Sequence, residues 1–109
     1  MKVQCISNST NGLPQKLIEA ENYKIDSEFY VKVNKKYTVY GMSQASNNIW
    51  YGVSLYNTDD YAVWYPSQLF SIIDSRVSKY WTFSIKEFPL FKRVIWAFPE
   101  WADEMSYYD

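Results

Sequence analysis

From residue 29 to residue 86 the chain runs in short stretches where apolar and polar residues alternate, divided by polar turns. A period of two places successive side chains on opposite faces of an extended strand, so this pattern commits the chain to β-structure. Phe29, Val31 and Val33 alternate with Tyr30 and Lys32, and Asn34-Lys35 can turn the chain. Tyr37, Val39 and Gly41 continue on a second strand, with Thr38 and Tyr40 on its other face, as far as the turn Ala45-Ser46-Asn47-Asn48. Ile49, Tyr51, Val53 and Leu55 then alternate with Trp50, Gly52, Ser54 and Tyr56. Asn57-Thr58-Asp59-Asp60 turns again, because short polar side chains bond to their own backbone. Pro66 holds Tyr65 extended, residues 69–73 form a further strand, and Trp81, Phe83 and Ile85 alternate with Thr82, Ser84 and Lys86.

The flanks are less regular. Residues 2–6 alternate Val3 and Cys5 with Lys2 and Gln4, a first strand, whereas residues 7–27 are polar and loop-like, with room for a helical turn over residues 15–20. Phe88, Phe91, Ile95 and Phe98 lie at helical spacing, although residues 91–98 fit a strand equally well. After Pro99, the positions of Trp101, Met105 and Tyr108 suit a short terminal helix with Glu100 and Asp103 in its first turn. Together these spacings predict a mainly β fold: a small, antiparallel, SH3-like, partly open barrel of five or six strands with a short C-terminal helical segment. Residues 1–109 form a single domain on this reading.

Chemistry is limited by what is missing. The chain has no His, so it offers neither a Ser-His-Asp nor a Cys-His pair, and no imidazole to carry a proton near neutral pH. One Cys cannot build a structural zinc site, and Gly12, Gly41 and Gly52 stand too far apart for a phosphate loop. The expectation is a binding protein and not an enzyme, without cofactor, metal or small-molecule substrate. Asp59-Asp60 is a solvated turn before it is an acid–base pair, Asp74 with Arg76 suits a local ion pair or turn cap, and Cys5 suits a small core residue. No stretch approaches the roughly 18 apolar residues of a membrane helix, and the first residues lack the apolar core of a signal peptide. A cytoplasmic location with no membrane partner is expected.

Charge and aromatic content indicate what could be bound. The net charge of −1 makes nucleic acid an unfavoured partner, since phosphate neutralisation needs a basic surface. Residues 94–109 hold four acidic and no basic residues, whereas residues 1–93 hold all 11 basic residues and 8 acidic ones. With 5 Trp, 11 Tyr and 6 Phe, the chain has more aromatics than a core this small easily hides. Ile49, Tyr51, Val53, Trp81, Phe83 and Ile85 are assigned to the core; Tyr40, Trp50 and Tyr56 to the opposite faces of their strands. Surplus surface Tyr and Trp favour recognition, because they bury a large area at low entropic cost.

A resemblance sharpens this reading. The segments Lys35-Lys36-Tyr37-Thr38-Val39-Tyr40-Gly41, Trp64-Tyr65-Pro66 with Leu69-Phe70, Asp74-Ser75-Arg76-Val77-Ser78, Trp81-Thr82-Phe83, Phe98-Pro99-Glu100-Trp101 and Tyr107-Tyr108-Asp109 carry it. They resemble small bacterial immunity-type proteins that accompany polymorphic or contact-dependent growth inhibition toxins. The resemblance covers most of residues 29–109. It implies a protein that binds a cognate toxin's C-terminal domain, expected to be a nuclease, and covers its active site. Because such an active site is basic, the expected contact surface is acidic and aromatic: Asp59, Asp60, Glu100, Trp101, Asp103, Glu104, Tyr107 and Tyr108. The alternative is an SH3-like module that binds single-stranded nucleic acid or a modified peptide through its aromatics, with Lys32, Lys35 and Lys36 as a small basic cluster.

Overall fold

The structure, a computed structural model, describes residues 1–55, 63–87, 89 and 92–98. In chain order the elements are β1 (Lys2–Cys5), α1 (Gln15–Glu21), β2 (Lys36–Ala45), β3 (Asn48–Val53), β4 (Val63–Pro66), β5 (Phe70–Asp74), β6 (Thr82–Glu87) and β7 (Lys92–Ala97). All strand pairings are antiparallel. The fold is therefore mainly β, with seven strands among the described residues where five or six were expected. No pairing among those residues closes the sheet.

The long strand β2 organises everything else. One of its edges pairs with β3, and the other is shared between β1, opposite its first half, and β7, opposite its second half. One wing thus runs β5-β1-β2 and the other β4-β3-β2-β7-β6. The two wings part at Tyr40. Val39 faces Val53 but Gly41 faces Gly52, so Tyr40 is an extra residue on β2, a bulge that turns the strand from one partner to the next. The bulge also shifts the alternation, so that Val39 and Met42 share a face. The hairpin from β2 to β3 closes through Ser46 and Asn47, both with positive φ (53° and 56°), between the paired Ala45 and Asn48. That geometry is a two-residue turn of the primed kind, whose twist matches the strands it joins.

The core lies on the face of Tyr37, Val39, Val53, Tyr51 and Tyr65, closed by Val3, Cys5, Leu69 and Phe70 and capped by Leu13, Leu17 and Val31. Burying each such large aliphatic side chain stabilises the fold by about 1.5–3 kcal/mol relative to leaving it in water. The helical turn expected over residues 15–20 is the two-turn helix α1. It starts after Pro14, buries Leu17 and stops at Asn22, whose left-handed backbone lets the Asn22 and Tyr23 amides bond back to the last turn. Cys5 is fully buried, as expected of a core residue, and Asp74 and Arg76 form the expected local ion pair at 2.6 Å.

Three expectations are corrected. Residues 29–33 are not a strand: a single bridge from Ser9 to Glu28 and isolated bonds, such as Lys32 N–H to the Tyr37 hydroxyl, tie the segment down. Its alternation is still used in part, since Phe29 and Val31 face inward and Tyr30 outward, but no neighbouring strand is there to complete a ladder. In β3, Ile49 is exposed, whereas Trp50, expected on the outer face, is buried and donates its indole N–H to the Ala45 carbonyl. β3 lies between β2 and β4, and its residues 50–53 are buried on both faces. In β6, Phe83 and Ile85 are exposed and only Trp81, just before the strand, is buried. The choice left open for residues 91–98 falls to a strand: residues 92–97 are β7, which pairs on both sides, with β2 and β6. The expected terminal helix beyond Pro99 lies outside the described residues.

Candidate binding face

Register places five side chains in one row across five strands: Phe83, Trp96, Met42, Tyr51 and Tyr65. The row is core at one end and surface at the other. Tyr65 is 4% exposed, under the edge-on ring of Phe29, and Tyr51 packs against Phe70. Trp96 is 43% exposed and Phe83 63%. The cover is supplied by Phe29, in the chain between β1 and β2, and by Phe70 on β5, and among the described residues nothing extends it over β7 and β6.

The neighbouring row on the same face is Ile85, Val94, Gln44 and Ile49, in which Ile85 is 54% exposed. On the other side of the open pair lies an aromatic corner. Trp81, buried, meets Trp96 edge-on at 6.0 Å and Phe98 at 6.4 Å, and Phe98 meets Tyr40. This corner holds the Trp96 indole on a rigid support. The two rows carry no charged residue; the Glu87–Lys92 ion pair (3.4 Å) sits beyond them at the hairpin end. The result is a contiguous, uncharged apolar face on β6, β7 and the adjoining part of β2. Surfaces of this kind mark docking sites more often than they occur by chance on a monomer.

The reverse face of the same strands is occupied. Gly41 and Gly52 sit side by side, and Trp64 on β4 lies across them. A Cβ on Gly41 would stand 2.5 Å from the Ala97 Cβ and 3.1 Å from Cη2 of Trp64, so only glycine admits this close approach. Arg93 stacks on Trp64 at 5.8 Å and donates from Nε to the Ser43 hydroxyl at 2.9 Å. Burial lowers the Arg93 pKa, and the Glu21 carboxylate partly counters that shift. Ile95 and Ala97 are fully buried here. With this side filled, β7 has only one face left to present.

The buried Trp81 indole N–H and Tyr65 hydroxyl have no hydrogen-bond partner among the described residues. Burial pushes the Tyr65 pKa up to about 12. Neither is placed to do chemistry, since each is sealed within the packing.

The sequence-based site residues Asp59, Asp60, Glu100, Trp101, Asp103, Glu104, Tyr107 and Tyr108 all lie outside the described residues, so their mutual arrangement carries no argument. Phe83, Ile85 and Trp96 were not among them. Phe83 and Ile85 were assigned to the core, and Trp96 fell off the helical stripe drawn through Ile95. A usable signal was present: Val94-Ile95-Trp96-Ala97 is apolar at four successive positions, so as a strand it must present apolar groups on both faces. No helix of the described residues is long and apolar enough to cross a membrane. Comparison with protein-family models, with curated proteins and with solved structures gives no significant match.

Proposed function

We propose that this protein acts by binding another protein on the open apolar face of β6 and β7, and that it is an immunity-type protein whose partner is the C-terminal domain of a cognate toxin, a nuclease, held with its active site covered. The observation that carries the binding part is the Phe83–Trp96 pair, adjacent on the ladder, backed by Trp81 and set in a face without charge. Aromatic anchors on a rigid support lose little freedom when a partner covers them, which suits tight binding. The toxin rests on the sequence resemblance and on a chain without the His needed for the usual nucleophile pairs. The acidic segment 94–109 would add charge steering toward a basic active site. An SH3-like, partly open barrel is the finer fold reading, supported by the bend of β2 between its two wings at Tyr40.

The test is co-expression with the toxin C-terminal domain encoded immediately upstream. A stable complex and protection of the host cell support the reading, and Trp96→Ser should weaken the complex at least ~30-fold, as for an interface hot spot. Neither a complex nor protection would remove the immunity reading.

A further inference from the structure

Among the described residues β6 pairs only with β7, so its other edge presents unbonded backbone N–H and C=O groups beside the apolar face. Such an edge is a template for another strand. The sequence of β6, Thr82-Phe83-Ser84-Ile85-Lys86-Glu87, is self-complementary about Ser84. In an antiparallel pairing of two copies with Ser84 opposite Ser84, each Phe83 faces the other copy's Ile85. Aromatic and β-branched residues opposed in this way stabilise a sheet. In the same register Lys86 falls opposite Thr82 and Glu87 opposite Trp81, so no like charges meet. The other open edges lack this property. Strand β5 centred on Ile72 would oppose Phe70 to Asp74, and β4 ends in Pro66, which has no N–H to give.

We propose that two copies of this chain associate through their β6 edges in this antiparallel register, forming a two-fold dimer with a continuous β7-β6-β6-β7 sheet. A two-fold interface requires one patch to fit itself, and this strand does. Because the contact uses the edge, Trp96 stays open in each copy and the two apolar faces merge into one. The dimer does not depend on the toxin reading: it is read on the protein alone, whereas that reading is tested by binding of the toxin domain.

The experiment is sedimentation of the purified chain up to about 1 mM, with two kinds of variant. The wild type is expected at twice its 13.0 kDa chain mass. Phe83→Lys and Ile85→Glu, both at exposed positions, should each raise the dissociation constant about 10-fold or more. The Phe83→Lys/Ile85→Glu double variant should recover most of that loss, because each new ammonium faces the other copy's new carboxylate. Ser84→Cys should give a disulfide-linked dimer on oxidation, since opposed strand residues have Cα atoms about 4.5–5.5 Å apart, within disulfide range. Thr82→Cys should not, its two thiols lying about 13 Å apart along the strands. A chain that stays monomeric throughout overturns the proposal. So does a dimer that is unchanged by the single variants, is not recovered by the double variant, or fails to cross-link through Ser84→Cys.

Discussion

At Gly41 a single missing methyl group allows two strands and an indole to meet. Ala97 and Trp64 both approach the place a Cβ would occupy, and neither can retreat, since Ala97 is backbone-paired and Trp64 lies across Gly52 as well. Gly41→Ala is therefore expected to destabilise the fold by about 1–3 kcal/mol, the usual range for overpacking, measured as a shift in the urea midpoint. Unchanged stability would mean that the strands separate more easily than this packing allows. Tyr65 makes the opposite case. Its hydroxyl is buried without a partner among the described residues, so Tyr65→Phe removes a desolvated group and should leave stability equal or raise it by about 1 kcal/mol. The same burial fixes a pH dependence. The folded Tyr65 pKa is raised to about 12 from 10.0, so the unfolded chain gives up its proton first as the pH climbs. Stability should fall from about pH 10 to about pH 12, and Tyr65→Phe should flatten that fall. At the acid end, hydrogen bonds from the Arg76 side chain hold the Asp74 carboxyl below the usual carboxylate range. Its contribution is present above about pH 4 and is lost as the pH drops toward the folded pKa. The pair is exposed, so its loss should be a small effect.

At the scale of elements, the hairpin from β2 to β3 joins strands adjacent in sequence, and it contains one residue ill-suited to its backbone. Ser46 sits at φ 53° next to Asn47 at 56°, and only Asn is at ease there. Ser46→Gly should raise stability by about 0.5–1 kcal/mol, seen as a higher Tm, whereas a lower Tm would show that the turn is not of the primed type. This hairpin was legible in the sequence because alternation and turn chemistry agree over residues 37–53. Residues 29–33 carry the same alternation without a ladder, because alternation reports which side chains share a face and not which backbone lies alongside. Phe91, Ile95 and Phe98 suit a helical stripe while the apolar run Val94-Ile95-Trp96-Ala97 suits a strand, and only the pairing of β7 with two neighbours decides between them. Phe83 and Ile85 were correctly placed on one face with Trp81, but burial depends on whether another segment covers that face. Among the described residues the cover reaches Tyr51 and Tyr65 and stops short of Trp96. The open apolar face was thus hidden from sequence in the same way as the edge of a roof is hidden from a list of its tiles.

Across the whole molecule, the bulge at Tyr40 divides the labour. The wing of β1 and β5, with the first half of β2 and the capping segment around α1, supplies most of the core, and the wing of β7 and β6 carries the apolar face away from it. On the outer wing Phe83, Ile85 and Trp96 are exposed while Ile95 and Ala97 beside them are buried, so the docking reading is testable by single substitutions at the exposed positions. The most direct measurement is a calorimetric titration of the C-terminal domain of the proposed toxin partner into the wild-type chain and into Trp96→Ser, with unfolding curves run in parallel. Binding to the wild type, a loss of at least ~30-fold in the variant and nearly unchanged unfolding are the expected results. Equal affinity in the two proteins would contradict the assignment of the β6–β7 face as the binding surface.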